Sequence, residues 1–211
     1  MHITHTPPWL ILEFERPLRS LGWCLNHPGF QTMSRVAWRQ VRSEELTEQT
    51  DARAWFMAQL EQHNLGDALG FLTSRRLDAL VVHTARADGV EAICAATVGL
   101  SNAERVGHRR RGPTSMAGTI NLVVAVDMPL ADAALVESLT IAAQARTAAV
   151  MEHGPPTPHG PATGTGTDCI VLAAPPGHAV YAGLHTAVGE AVGRAVYDAV
   201  AAGVRGWMAE P

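Results

Sequence analysis

The ten residues from Gly118 to Asp127, Gly-Thr-Ile-Asn-Leu-Val-Val-Ala-Val-Asp, constrain the fold more than any other stretch of the chain. Isoleucine and valine are stiff at χ1 and pack well on a pleated surface, so the run from Ile120 to Val126 predicts a strand. Successive strand residues point to opposite faces, and here both sets are apolar. Neither face can meet water, which puts this strand at the centre of a sheet covered on both sides. Asn121 is the polar exception, and its burial is unfavourable unless its amide is hydrogen-bonded.

Covering such a strand twice requires helices and further strands. Asp132 is placed to cap a helix running to about Glu152, with Leu135, Leu139 and Ala142 on one stripe and Gly154-Pro155-Pro156 as the stop. A shorter helix follows Asp51, carries Trp55, Phe56 and Leu60 at helical spacing, and ends near Asn64 to Gly66. The last helix runs from about Thr186 to Met208, with Val188, Val192, Val196, Val200 and Val204 on one stripe and Gly189 and Gly193 allowing close approach of another element. Leu80 to Val82, the turn Asp88-Gly89 and Val90 to Val98 read as a β-hairpin. Leu10 to Phe14 and Leu21 to Leu25 suit two strands, and Cys169 to Ala174 a short buried one. Four prolines between Pro155 and Pro161 predict an extended surface loop. The 211 residues suffice for one core. The order of elements predicts a single α+β domain over residues 1–211, a mixed β-sheet packed with about three α-helices, in preference to a doubly wound parallel sheet.

Several classes of function fall away on composition. With 47% hydrophobic and 17% charged residues the chain is too apolar to be disordered and too evenly mixed to live in a membrane. No stretch approaches the roughly 20 apolar residues of a membrane span, and Met1 to Arg16 lacks the order of a secretory leader, so the cytoplasm is the expected location. A net charge of −4 offers nucleic acid no general attraction. The run Arg109 to Arg111 lies among glycines and reads as a solvated loop. Cys24, Cys94 and Cys169 form no CxxC pair and read as buried free thiols. Apolar residues on more than one side of the last helix point to self-association as a homo-oligomer.

The most unusual chemistry lies in Thr163-Gly164-Thr165-Gly166-Thr167-Asp168. Alternating glycines bare backbone N–H groups, the threonines add hydroxyls and Asp168 a carboxylate, so the loop can cradle an anion or an oxyanion. It has no GK[ST] ending and runs into a strand, unlike a nucleotide-binding phosphate loop. The bland alternative is a glycine-rich bend feeding the sheet. His185, at the start of the last helix, can titrate near neutrality, or can simply be an exposed helix-start residue. Glu190 can serve as a base, or pair with Arg194 one turn on. Asn102, in the bend Gly99-Leu100-Ser101-Asn102, can present its amide to a ligand or close a turn. The histidines 153, 159, 178 and 185, with or without Asp168, match no known metal-ligand spacing. No GxSxG elbow or Cys-His arrangement is present, which leaves Ser101 and the threonines as candidate nucleophiles.

Taken together, Ala-Thr-Val-Gly-Leu-Ser-Asn-Ala at 96 to 103, Gly-Thr-Ile-Asn-Leu at 118 to 122, Ala-Thr-Gly-Thr-Gly-Thr-Asp at 162 to 168 and the His-Thr-Ala-Val-Gly-Glu that begins at His185 resemble the adenosylcobinamide amidohydrolases. The resemblance covers most of the chain after about residue 70. Gln144 and Arg146 depart from it, standing where the pattern has an acidic residue and a lysine. The resemblance implies hydrolysis of the amide that joins aminopropanol to the corrin ring, with the corrinoid as substrate, no cofactor, and no stated metal requirement. For such a hydrolysis the chemistry of the residues themselves offers Asp168 or Glu190 as base, His185 as acid, the amides of Gly164 to Thr167 as oxyanion donors, and Asn102 and Asn121 as orienting amides. Substrate binding falls to Ser101, Asn102, Thr119, Asn121, Thr163, Gly164, Thr165, Gly166 and Thr167. Two other readings fit the same loops: a binding module that only holds a corrinoid or another small ligand, and a hydrolase of a different amide or ester.

Overall fold

The computed structural model describes residues 1–42, 44–46, 49–108 and 118–210. The Arg109 to Arg111 run lies outside the described residues. The elements are β1 (His2–Thr6), β2 (Trp9–Gly22), β3 (Gly29–Gln40), α1 (Ala52–Gln62), β4 (Leu69–Thr73), β5 (Val81–Ala87), β6 (Val90–Val98), β7 (Ala103–Glu104), β8 (Ile120–Val126), α2 (Asp132–His153), β9 (Pro156–Thr157), β10 (Gly160–Pro161), β11 (Gly164–Thr165), β12 (Cys169–Ala174) and α3 (Ala187–Met208).

Eight of the strands form one mixed sheet in the order β4-β3-β2-β12-β8-β6-β5, with β1 beside the first half of β2. β12 runs parallel to β8, and β3 parallel to β4, while the other neighbours are antiparallel. The Ile120–Val126 strand is interior as expected, and the middle place beside it belongs to β12.

In a flat sheet β4 and β8 would stand four strands, about 19 Å, apart. Instead Asn121 Nδ2 donates to the Leu72 carbonyl at 2.7 Å, so the sheet folds over on itself. The alternation of side chains records the result. Leu122, Val124, Ile170, Leu172, Cys94 and Ala96 join α2 and α3 in one core. The intervening Val123, Val171 and Ala95 meet Leu10, Leu12, Trp38 and Phe71 between the two halves. Trp9 and Ala37, on the far face, pack against Phe56 and Leu60 of α1. The layers are therefore α2 and α3, half the sheet, the other half, and α1.

Four expectations change. The two N-terminal strands are one, β2, which carries Pro17 because residues 14–17 bulge out against Ser34 alone, where no ladder bond is lost. α2 is capped at Ala131 with no side-chain bond, because the Asp132 carboxylate is taken by Arg19 at 2.9 Å. The proline segment folds into the small β9–β10 hairpin. Arg194 pairs with Asp198, at 3.9 Å, and not with Glu190.

Candidate functional site

β8 and β12 begin, and the antiparallel β6 ends, on one edge of the folded sheet. Three stretches distant in sequence therefore meet there: Gly99 to Asn102 after β6, Gly118 and Thr119 before β8, and Thr163 to Asp168 before β12. The Gly99 N–H donates to the Thr119 carbonyl at 2.9 Å, and Thr119 Oγ1 donates to the Thr167 carbonyl at 2.8 Å. The Asn102 carbonyl accepts from Gly166 N–H, and its Nδ2 reaches Thr167 Oγ1 at 3.4 Å. Gly118, at φ +98°, lies so close to Ser101 and Asn102 that a Cβ would come within 2.8 Å of a backbone nitrogen.

Asp168 organises the loop that precedes it. Its Oδ1 accepts from Ile120 N–H at 3.1 Å and Thr165 Oγ1 at 2.5 Å, and its Oδ2 from Thr165 N–H at 3.0 Å and from Arg146 Nη1. The same Arg146 nitrogen donates to the Thr163 carbonyl at 3.0 Å. Burial pushes the Asp168 carboxyl up from its ordinary range, and the nearby Arg146 and the Thr165 donors oppose that push. The guanidinium crosses directly over Gly164, where a Cβ would collide with Arg146 Nη1 and with the Asp168 carboxylate. β11 fixes the loop's outer side by pairing Gly164 with Glu104 and Thr165 with Ala103 of β7.

Four of the loop N–H groups are turned inward. That of Thr163 goes to the Glu104 carbonyl at 2.8 Å, Thr165 to Asp168, Gly166 to the Asn102 carbonyl, and Thr167 to Thr165 Oγ1 at 3.4 Å. These amides hold the loop itself, and the Asp168 carboxylate likewise meets four donors from the protein. What the cluster offers to solvent is the exposed edge Ser101, Gly166 and Thr167. Asn102, Thr119 and Thr163 are buried beneath it, and Asn121 faces the space between the sheet halves, 1% exposed.

A groove of about 320 Å³ runs along the outer side of the loop, lined by Glu104, Arg105, Arg146 and Thr163 to Thr165. A second hollow of about 210 Å³ shares Glu104 and continues past His108, Thr157 and His159. The larger hollow of about 580 Å³ around Arg39, Arg42 and Glu45 contains none of the residues singled out from the sequence.

His185 and Glu190 are both exposed and stand elsewhere. Ala182 N–H donates to Glu137 at the early part of α2, while Tyr197 meets His153 at its end, so α2 and α3 run side by side in the same direction. Glu137 is nine residues, about 14 Å of helix, from Arg146. The structure thus brings Ser101, Asn102, Thr119 and Thr163 to Asp168 together and leaves His185 and Glu190 at the other end of the helices. His153 bonds Tyr197 Oη at 3.3 Å, and the His159 ring stacks on His108 at 4.1 Å. Among the described residues no group of three His, Cys, Asp or Glu side chains is placed to hold a metal ion.

Cys24 and Cys94 are buried and Cys169 is partly so. Burial pushes the Cys169 thiol up to about 12, which leaves it protonated and a poor nucleophile at neutral pH. Sequence reasoning assigned no role to Arg146, which figures there only as a departure from the family pattern. Its signal was there, since it continues the apolar stripe Leu135, Leu139 and Ala142 by one further turn, where a cation must find a buried partner.

The family model described as adenosylcobinamide amidohydrolase matches residues 1–211, the whole chain. No curated protein matches the chain in sequence. Among solved structures the chain is similar to a Burkholderia sp. beta-aminopeptidase at 16% identity and a TM-score of 0.45, over 92% of this chain and 78% of that one.

Proposed function

The chain belongs to the adenosylcobinamide amidohydrolase family, and from that premise we propose that it hydrolyses the amide joining aminopropanol to the corrin ring of adenosylcobinamide. It is a hydrolase acting on an amide. Water adds across the C–N bond, giving the carboxylate of adenosylcobyric acid and releasing 1-amino-2-propanol. The corrinoid is the substrate in this reading, within corrinoid salvage.

One observation carries the location of the site. The glycine-threonine loop, the Ser101-Asn102 bend and Thr119 come from three separate stretches of sequence and share one hydrogen-bonded edge beside a groove. We place the scissile amide over that edge. Ser101 and Thr167 are the exposed hydroxyl residues there and serve as candidate attacking or water-orienting groups; Ser101 is the freer of the two, since the Thr167 hydroxyl accepts from Asn102 Nδ2 and donates to the Gly118 carbonyl at 3.3 Å, a bond it must give up to act on substrate. Asp168 contributes by holding the loop, and His185 and Glu190 are left outside.

The test is incubation with adenosylcobinamide, cobinamide and adenosylcobalamin, followed by mass spectrometry. Adenosylcobyric acid and aminopropanol from the first is the expected result, with turnover falling on the order of 100-fold in Thr167→Val or Ser101→Ala. No new product from any of the three would overturn the reading, and tight binding without turnover would favour a binding module.

A further inference from the structure

We propose that Arg146 is a positioning residue, which through the Asp168 carboxylate and the Thr163 carbonyl sets the conformation in which the glycine-threonine loop meets substrate. The inference rests on the reading of that loop as the substrate-binding edge.

Arg146 has every mark of a residue kept for something other than stability. It sits on the apolar side of α2, 15% exposed, and its Nε is buried with no partner among the described residues. A buried ion pair gains little over packed apolar side chains of the same volume, and an orphaned N–H makes the comparison worse. What the guanidinium does supply is a fixed charge at one point. The Thr165 N–H, the Thr165 hydroxyl and the Ile120 N–H all converge on Asp168, so the loop keeps this shape only while a carboxylate stands there to receive them. Burial works against that charge and Arg146 works for it. The glycine at 164 belongs to the same device, because any side chain there would occupy the path of the guanidinium.

The geometry also says which substitution can stand in. Both contacts of Arg146 come from the single nitrogen Nη1. A lysine ammonium is a point donor able to make both bonds, without an Nε to leave unpaired. A glutamine of similar reach brings a donor and no charge. The planar fork, for which arginine is usually kept, is not what this site uses.

The experiment compares the wild type with Arg146→Gln, Arg146→Lys and the double variant Arg146→Gln/Asp168→Asn. Three quantities are measured: amide hydrogen exchange of residues 163–168, the thermal midpoint, and kcat and KM on adenosylcobinamide. Arg146→Gln is expected to lose protection in 163–168 while α2 and β12 stay protected, and to lose kcat by about 100-fold, as a misplacement near 1 Å does. KM should stay within about threefold, since the loop still presents the same groups. Arg146→Lys is expected to recover both protection and kcat. The double variant, with no buried charge left unpaired, should regain the thermal midpoint while kcat stays low. Recovery of kcat together with the midpoint in the double variant would reduce Arg146 to a structural residue and overturn the proposal. So would unchanged loop exchange in Arg146→Gln. Absence of product from the wild type would instead overturn the proposed function, and the exchange and melting data would still decide whether Arg146 holds the loop.

Discussion

Replacing Gly118 by alanine tests whether the three stretches of the site are stacked as tightly as described. Two separate penalties apply. The residue sits at φ +98°, where an L side chain crowds its own carbonyl, at about 1 kcal/mol. The new Cβ would also lie 2.8 Å from the Ser101 nitrogen, 2.9 Å from the Asn102 nitrogen and 3.1 Å from Ser101 Cβ, contacts that only a backbone shift can relieve. Overpacking of that kind adds about 1–3 kcal/mol, for a total of about 2–4. Gly89 separates the two penalties. It has φ +83° at the hairpin turn and nothing within 4 Å of a built Cβ, so Gly89→Ala carries the first penalty alone. For a domain of this size, roughly 2–4 °C in thermal midpoint per kcal/mol gives a drop of roughly 2–4 °C for Gly89→Ala and roughly 5–15 °C for Gly118→Ala. Calorimetry on both variants reads the difference, and hydrolysis should fall only in Gly118→Ala, where the displaced bend carries Ser101 and Asn102. Midpoints within 2 °C of each other would refute the stacking of the Gly99–Asn102 bend on Gly118.

Asn121→Ala removes the bond to the Leu72 carbonyl that ties the folded sheet halves together, and should lower stability by about 1–3 kcal/mol with KM unchanged; a raised KM at unaltered stability would return Asn121 to the substrate. With Cys24 and Cys94 buried and the Cys169 thiol pushed up to about 12, a thiol reagent at pH 7 should find no rapidly reacting cysteine before denaturation and three after it. One thiol reacting within seconds would contradict that environment.

The elements that could be read from the sequence are those whose pattern is local and unbroken. β8, the β5–β6 hairpin, α2 and α3 each declare themselves through one continuous run, stripe or turn. β3 offers no continuous apolar run, since Arg35 and Arg39 alternate with the core residues Val36 and Trp38, and only the fold shows where their heads go, to Asp67 and Glu45. β2 was cut in two by Pro17, since the bulge that accommodates a proline is decided by the partner strand. The folding-over of the sheet left no sequence signal that the apolar runs alone could separate from a flat one.

The site divides along the same line. Part of the grouping was legible, because glycine-rich bends next to apolar strands end up at sheet edges and parallel β8 and β12 bring two of them to the same edge, while His185, Glu190 and Asn121 stand apart from it. The roles were not, because a role depends on which donors reach a group. Asp168 reads as a base from composition, as any carboxylate beside threonines does. The fold surrounds it with four donors, one of them from a helix 22 residues earlier, and so turns it into the point about which the loop is built. The sequence feature able to warn of this is the cation on the apolar stripe of α2. A buried arginine must have its counter-charge, and the acidic residue that answers it is thereby occupied.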